Sequence, residues 1–227
     1  MISKRQTQIV ALDELTKSVF LELFGDPVTN DKKWTMQKLG DLGILRRGMS
    51  KHRPRNAPEL LGGPYPLIQT GDVANSGLFI KGYKSTYSEL GLKQSKMWES
   101  GTLCITIAAN IAKTGILKFD ACFPDSVVGY IVGDSTNNIF IHYWFGFFQQ
   151  ILESSAPESA QKNINLKILN NLDVIVPPLN LQKRFEETVL HIEKQKDILE
   201  KGLHNIQELY QSLLQKAFKG ELFQEQA

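Results

Sequence analysis

A long heptad pattern near the C-terminus limits the folds that this chain can adopt. From Phe185 to Ala217, apolar residues recur at alternating intervals of four and three residues, and Lys196 is the polar exception. This spacing is typical of the contact seam of a coiled coil. A helix of about 40 residues is roughly 60 Å long. Because such a rod is too long to fold back on a small domain, we expect it to pack against a partner helix.

Single residues predict the ends and the seam of this helix. Asn180 follows Val176-Pro177-Pro178 and is the expected N-cap, and Gly220 supplies the expected C-terminal stop. Lys196 occupies a seam position, where a lysine sets the register at some cost in stability. Alternatively, its ammonium group extends to solvent at the edge of the seam. The residues predicted to contact a partner helix, in a dimer or within the chain, are Leu199, Leu203, Ile206, Tyr210 and Leu213.

The N-terminal segment is similar to the end of this helix. A shift of 194 residues aligns the apolar positions of the two segments and also matches the identities at Glu14-Leu15, Ser18 and Phe24. Any two amphipathic helices can be aligned by their apolar positions, but chance matches identities less often. We therefore interpret residues 1–26 as an internal repeat of the helix end, terminated by Gly25-Asp26-Pro27.

Residues 27–178 have a different pattern, with short β-like runs separated by Gly, Pro, Asn and Asp. One helix is expected from Asn138 to about Ser154, capped by Asn137 or Asn138, with its aromatic side chains in the core. The prediction is an α+β fold in three regions, namely residues 1–26, a globular domain over 27–178, and a coiled-coil helix and tail over 179–227. The β-like runs cover residues 66–68, 77–80, 102–107, 115–119 and 127–132.

Motifs and composition argue against several classes of protein. No apolar run reaches the roughly 18 residues that span a bilayer, and no apolar stretch follows the basic start as in a secretory signal. Cys104 and Cys122 lack metal-ligand spacing, which favours a reduced, cytoplasmic setting. The four histidines are scattered, no acid-x-Lys follows Pro124-Asp125, and no Gly-x-Gly turn follows a strand. We therefore expect no catalytic site, no cofactor and no metal.

A basic stretch is the main chemical signal in the globular region. The net charge of the chain is only +2, but residues 32–55 hold eight Lys and Arg residues and a single acid, Asp41. Such a stripe can neutralise several phosphates of DNA. The alternative is an ordinary solvated loop, because Lys and Arg side chains are mostly exposed in any protein. Charge alone gives the two interpretations equal weight.

The order and spacing of several short motifs resemble the specificity subunits of type I restriction-modification systems. Each motif is weak by itself, and together they extend over nearly the whole chain. The junction entering a target-recognition domain, two strand-and-turn motifs and the exit into a conserved helix are all represented. The motifs that carry this resemblance are Phe20–Pro27, Trp34, Lys38–Leu42, Tyr65–Val73, Gly101–Ile105, Ala109–Leu117, Gln161, Asn163–Leu166, Val176–Leu179 and Gln182–Phe185.

The resemblance implies a non-catalytic subunit that binds double-stranded DNA. Its implied partners are methyltransferase subunits, which supply the S-adenosylmethionine chemistry, and a translocating restriction subunit. Family members normally carry two recognition domains, whereas this chain has one and resembles a half-subunit. We therefore expect two copies to pair through antiparallel helices and read a bipartite palindrome. Pairing with a different half-subunit, or origin as a fragment of a longer subunit, are the alternatives.

The predicted recognition surface combines phosphate anchors with residues that read base edges. The readers have amide, hydroxyl or ammonium groups at strand ends or in small-residue loops. For each reader the alternative is a turn residue that bonds its own backbone. The anchors are Arg46, Arg47, Lys51, Arg53, Arg55 and Lys162, and the readers are Gln69, Thr70, Asn110, Lys113, Gln161 and Asn163.

Two other functions compete with this hypothesis. The chain could be a regulatory module that occupies methyltransferase subunits as a decoy, without reading DNA productively. The basic stretch and the polar loops favour the DNA reader, whereas the small net charge leaves room for the decoy. A stand-alone enzyme ranks third, because the motifs of the common DNA-modifying and DNA-cleaving enzymes are missing.

Overall fold

The computed structural model describes residues 2–108, 110–148 and 164–219. The chain divides into two compact units, Met1–Leu23 with Arg184–Ala227, and Phe24–Lys183. Within the described ranges, no helix is both long and apolar enough to cross a membrane. The helices are α1 Ile2–Phe24, α2 Thr70–Ala74, α3 Glu89–Lys93, α4 Asn138–Phe145, α5 Leu166–Asn170 and α6 Leu179–Phe218, and a 3₁₀ turn covers Pro58–Leu60. The strands are β1 Met36–Lys38, β2 Gly43–Arg47, β3 Leu61–Leu67, β4 Phe79–Ile80, β5 Ser85–Tyr87, β6 Met97–Trp98, β7 Leu103–Thr106, β8 Thr114–Leu117, β9 Ala121–Cys122, β10 Val127–Val132 and β11 Asp173–Ile175.

The first unit is a pair of antiparallel helices. The Phe20 ring of α1 meets the Phe185 ring of α6 edge-on, with centroids 5.5 Å apart. Further along, Lys196 Nζ lies 2.7 Å from Asp13 Oδ1. The contacts move toward the C-terminus of α6 as they move toward the N-terminus of α1, so the two helices are antiparallel. The buried residues of this pair are Thr16, Phe20, Phe185, Val189, Ile192 and Glu193.

The heptad seam therefore divides into two parts. Its first residues are buried against α1 in the same chain, whereas Leu199, Leu203 and Ile206 are half-buried. Tyr210 and Leu213 are 52% and 46% exposed, so the residues that the structure describes do not cover the end of the seam. The predicted coiled-coil pattern is present, and its N-terminal part packs against α1 of the same chain.

Two details of the helix predictions need correction. The Lys196 side chain is 13% exposed and bonds Asp13 and Glu193, so it does not extend to solvent. The predicted N-cap at Asn180 is wrong, because α6 begins at Leu179 and Asn180 lies in its first turn, where Oδ1 accepts from the Leu181 N–H. The expected stop at Gly220 lies outside the described residues.

The second unit contains a five-stranded sheet, a four-stranded sheet and one short strand pair. The strand orders are β2-β10-β7-β8-β4, β5-β3-β9-β6 and β1-β11. The β4–β8 and β3–β9 pairs are parallel, and the remaining pairs are antiparallel. Each of the five predicted β-like runs overlaps a strand, and the predicted α+β class is confirmed.

The core of this unit lies between the two larger sheets. One apolar cluster combines β4, β7, β8 and β10 of the large sheet with β6 and β9 of the small one, and Trp98 stacks on Phe123 at 4.8 Å. A second cluster lies on the other face of the small sheet. Ala121 and Cys122 of β9 belong to different clusters because successive side chains of a strand point to opposite faces.

One glycine determines how closely the two sheets approach. Gly129 lies in β10, and a Cβ at this position would be 2.5 Å from the Trp98 ring. Real Cβ atoms essentially never show such a contact, so a side chain at this position would force the Trp98 ring or the strand backbone to shift. The absent side chain therefore allows the indole of β6 to pack against a central strand of the large sheet.

The helix predicted from Asn138 is α4, which ends at Phe145 in the described part of the chain. Its N-cap is Asn137, whose side chain accepts from the Phe140 N–H at 2.7 Å. Gly146 and Phe147 form a turn, so the predicted helix is not continuous to Ser154. Residues 149–163, including the last part of that prediction, lie outside the described residues. Trp144 and Phe148 are buried, as predicted, whereas Phe147, predicted as a core residue with them, is half-buried. Ile151, the fourth residue of that prediction, lies outside the described residues.

Candidate DNA-recognition surface

The basic stretch runs from β2, an edge strand of the large sheet, into a loop that hydrogen bonds hold in place. Gly48 and Met49 donate their N–H groups to the carbonyl oxygens of Val127 and Phe123, at 2.8 and 3.0 Å. Ser95 Oγ donates to the Met49 carbonyl oxygen at 2.8 Å. The start of the loop is therefore fixed by two different parts of the chain.

Gln94 fixes the next turn of the loop. Its Oε1 accepts hydrogen bonds from the backbone N–H groups of Lys51 and His52, at 2.6 and 3.0 Å. The side chain of Lys51 is exposed, as is that of Arg46 in β2. Two of the predicted phosphate anchors thus project from a backbone that is already ordered, which lowers the entropy cost of binding.

Three of the predicted arginines converge on Asp125, in the turn between β9 and β10. Arg55 Nη2 donates to Asp125 Oδ1 at 2.5 Å, and Arg53 Nη2 lies 3.7 Å from Oδ2. Arg47 Nε donates to the Asp125 carbonyl oxygen at 3.1 Å. Arg53 Nη1 also donates to the carbonyl oxygens of Ser50 and His52, at 2.6 and 2.8 Å. Arg53 therefore braces its own loop.

A cavity of about 240 Å³ brings predicted anchors and readers together. Arg55 comes from the basic loop, and Gln69 and Thr70 come from the start of α2. These segments are separated in the sequence and meet because β3 leads from one to the other beside the turn that carries Asp125. The other lining residues are Ser50, Asn56, Leu61, Leu67, Tyr87, Pro124 and Ser126.

For Gln69 the structure favours the alternative interpretation, in which the residue bonds nearby groups of its own chain and does not read a base. Gln69 and Asp72 form a capping box at the N-terminus of α2, in which the Gln69 N–H donates to Asp72 Oδ2 at 2.9 Å. Gln69 Nε2 also lies 3.5 Å from Ser85 Oγ. The capping bond uses the backbone N–H of Gln69, whereas the contact with Ser85 uses its side-chain amide. Because that amide already has a partner, Gln69 is a weaker candidate reader than Thr70.

Two further predicted readers, Asn110 and Lys113, lie in the loop between β7 and β8. Asn110 and Ala112 have φ values of 46° and 59°, in the left-handed region that few side chains favour. Thr106 Oγ1 donates to the Asn110 carbonyl oxygen and accepts from the Lys113 N–H, which closes the loop. The side chains of Asn110 and Lys113 are exposed.

Helix α2 connects the two groups of readers. Ala74, Ala112 and Lys113 line a second cavity of about 300 Å³, whereas Thr70 lines the first. Residues four apart lie on the same face of a helix and are separated by roughly 6 Å along its axis. The structure therefore brings Arg55, Thr70 and the β7–β8 loop into one region of the domain. The predicted residues Gln161, Lys162 and Asn163 lie outside the described residues.

Sequence reasoning missed Asp125 and Gln94, although both organise the basic loop. Asp125 is 70 positions from Arg55, and Gln94 is 43 positions from Lys51. A lone Asp after Pro and a lone Gln near a helix end carry no distinctive pattern. Pairing over such separations is decided by the fold, so the sequence offered no usable signal for either residue.

The described residues offer little reactive chemistry. Burial raises the pKa of the Cys104 thiol, and burial also raises the pKa of Cys122 despite the opposing hydrogen bond from Ser95. Both thiols are therefore protonated at neutral pH. No cluster of three or more His, Cys, Asp or Glu residues that could hold a metal ion occurs in the described part of the chain.

Comparisons with known proteins give a consistent result. The family described as type I restriction modification DNA specificity domain matches residues 31–208. The chain is 26% identical over 221 residues to the type I restriction enzyme EcoBI specificity subunit of Escherichia coli, covering 92% of this chain and 46% of that protein.

Solved structures share the fold at low sequence identity. The HsdS subunit from Thermoanaerobacter tengcongensis aligns with a TM-score of 0.61 and 20% identity, over 97% of this chain and 54% of that one. The type I restriction-modification system S subunit from M. genitalium aligns with a TM-score of 0.59 and 13% identity, over 100% of this chain and 59% of that one. The chain thus spans about half the length of these relatives. Since the family match covers most of its residues, this chain belongs to the type I restriction-modification DNA specificity domain family.

Proposed function

We propose that this chain reads DNA sequence for a type I restriction-modification complex. The observation that carries the proposal is the basic loop, whose backbone is braced at Gly48, Met49 and Lys51 while Arg46 and Lys51 project outward. In this proposal methylation and cleavage are supplied by partner subunits in the cytoplasm. S-adenosylmethionine binds the methyltransferase partner, and this chain has no catalytic role.

The exposed end of α6 supports a second part of the proposal, which is that two copies pair. Tyr210 and Leu213 are 52% and 46% exposed, and they continue the heptad seam beyond the part that α1 covers. Leu209, next to the seam, is 61% exposed. The N-terminal segment, which repeats the end of α6 in sequence, packs on α6 of its own chain. A second copy can offer a matching helix to the uncovered end. Two recognition domains in inverted orientation would then read a bipartite palindrome.

Methylation mapping tests the proposed function. The chain is expressed with its neighbouring methyltransferase subunit in a methylation-deficient host, and the modified adenines are located by sequencing. We expect a split palindrome, with two identical half-sites around an unread spacer. An asymmetric motif would contradict the symmetric pair and favour a second, different recognition half. A stable complex that methylates no sequence would contradict the DNA reader and favour the decoy.

The phosphate anchors lead to a separate prediction. Replacing Arg46 or Lys51 by Gln should weaken binding of the complex to all duplexes alike, because each change removes one sequence-independent contact. The slope of log K against log salt concentration should fall by about one per residue removed. Fluorescence anisotropy at several salt concentrations measures both quantities. The matched control is Lys93→Gln on α3, and an equal effect of the control would refute the assignment.

A further inference from the structure

Arg55 is distinguished from the neighbouring arginines by its contacts. Arg53 bonds two carbonyl oxygens of its own loop, and Arg47 bonds the carbonyl oxygen of Asp125. Within the described part of the chain, the Arg55 side chain bonds only the Asp125 carboxylate, through one nitrogen. It is 44% exposed and lines the 240 Å³ cavity. Most of its five N–H donors therefore remain available for a ligand.

The carboxylate of Asp125 makes Arg55 a poor phosphate anchor. An acid next to a guanidinium group offsets its positive charge and repels an approaching phosphate. The Asp125 carboxylate leaves the planar array of Arg55 N–H donors in place and restricts the orientation of that array. A held arginine is therefore better suited to a neutral partner that is recognised through direction and spacing.

We propose that Asp125 is a positioning residue that holds Arg55 to read a guanine of the target DNA. In the major groove, guanine presents O6 and N7 as two adjacent acceptors, which a guanidinium group meets with two parallel hydrogen bonds. One edge of Arg55 is held by the carboxylate, and the other edge donates to the base. This inference rests on the proposed function, since it assigns a base to one residue of the recognition surface.

Selection from a random duplex pool tests this assignment. The complex of the chain with its methyltransferase subunit is used to enrich bound DNA, and the bound motif is determined by sequencing. Arg55→Gln should abolish the preference for guanine at one position of the half-site, a loss of roughly ten- to hundredfold in discrimination. The preferences at the remaining positions should persist.

Two further variants separate orientation from charge. Arg55→Lys keeps the positive charge but replaces the planar fork of donors by a single ammonium group, so it should weaken the guanine preference with an unchanged salt dependence. Asp125→Asn removes a negative charge, so it should bind non-specific DNA more tightly while its discrimination at that position falls. Asp134→Asn, an exposed acid in the turn after β10, makes the same change in net charge and should keep the full motif.

The outcomes distinguish this inference from the function on which it rests. A uniform loss of affinity in Arg55→Gln with the motif intact would make Arg55 a phosphate anchor and overturn the assignment. Full discrimination in Asp125→Asn would overturn the positioning role. If the unaltered complex enriched no motif at all, the proposed function would fail as well. Thermal unfolding of each variant verifies that the fold is retained.

Discussion

Replacing Phe20 by Ala should destabilise the pair formed by α1 and α6 by about 3–5 kcal/mol. Phe20 is fully buried and packs edge-on against Phe185, which is also fully buried. The change removes most of an aromatic side chain from a two-helix interface that has few other large buried residues. The neighbouring side chains are held by their helices and cannot fill the space. The cavity cost is therefore added to the lost hydrophobic burial.

Hydrogen exchange of the α1 amides measures this effect directly. We expect protection in α1 to fall by about a hundredfold or more, since 1.4 kcal/mol corresponds to a factor of ten. Leu15→Ala is the matched control, because Leu15 lies on the same helix and is 47% exposed. Its effect should stay near 0.5 kcal/mol. If the two variants lost protection equally, Phe20 would not be the main contact of the helix pair.

The second large effect is expected from Lys196→Met. Lys196 Nζ bonds Glu193 Oε1 at 3.0 Å and Asp13 Oδ1 at 2.7 Å. Glu193 is only 8% exposed, so the variant would leave a buried carboxylate without its cation. Removing one partner of a buried ion pair costs about 3–5 kcal/mol. We expect the lower end of this range, because Asp13 is half exposed and can be rehydrated.

A double variant distinguishes the unpaired charge from the lost packing. Glu193→Leu combined with Lys196→Met removes both charges and fills the same volume, so most of the stability should return. Urea denaturation followed by circular dichroism gives the free energies, and Lys194→Met on the exposed face is the control. A double variant as unstable as Lys196→Met would show that the buried charge is not the cause.

The ion pair of Lys196 also predicts how the stability of the fold depends on pH. Burial lowers the pKa of Lys196, but its hydrogen bonds to Asp13 and Glu193 outweigh this effect and raise the pKa above the ordinary value. A raised pKa in the folded state stabilises the fold below the unfolded value of about 10.4. This contribution should be constant through neutral pH and should be lost only in strongly alkaline solution.

For physical reasons that are local, the sequence predicted the three longest helices and five of the eleven strands that the described residues form. The heptad spacing of α6 and the alternation of the β-like runs reflect the geometry of one element against any apolar surface. It also predicted the N-cap at Asn137 within one residue, because a cap acts on its own helix. It failed at Asn180, where the helix begins one residue earlier after two prolines.

The recognition surface was predicted only in part. The basic residues were visible as composition, and their convergence on Asp125 was not, because that contact joins residues 70 positions apart. The bracing of Lys51 by Gln94 was hidden for the same reason, because these two residues are 43 positions apart. Gln69 was selected as a base reader from its position alone, and its capping contact with Asp72 became visible only with the fold.

Sequence alone determined the α+β class, the long helix and the family, since these depend on periodicity and on the order of short motifs. The tertiary structure decided which partner each of these elements has. It placed α1 of the same chain against the start of α6, while Tyr210 and Leu213 near the end of α6 are exposed among the described residues. It also separated Arg53, which braces its loop, from Arg55, which faces a cavity. The physical reason is that a side chain's role depends on its neighbours in space, and chain folding brings those neighbours from distant positions.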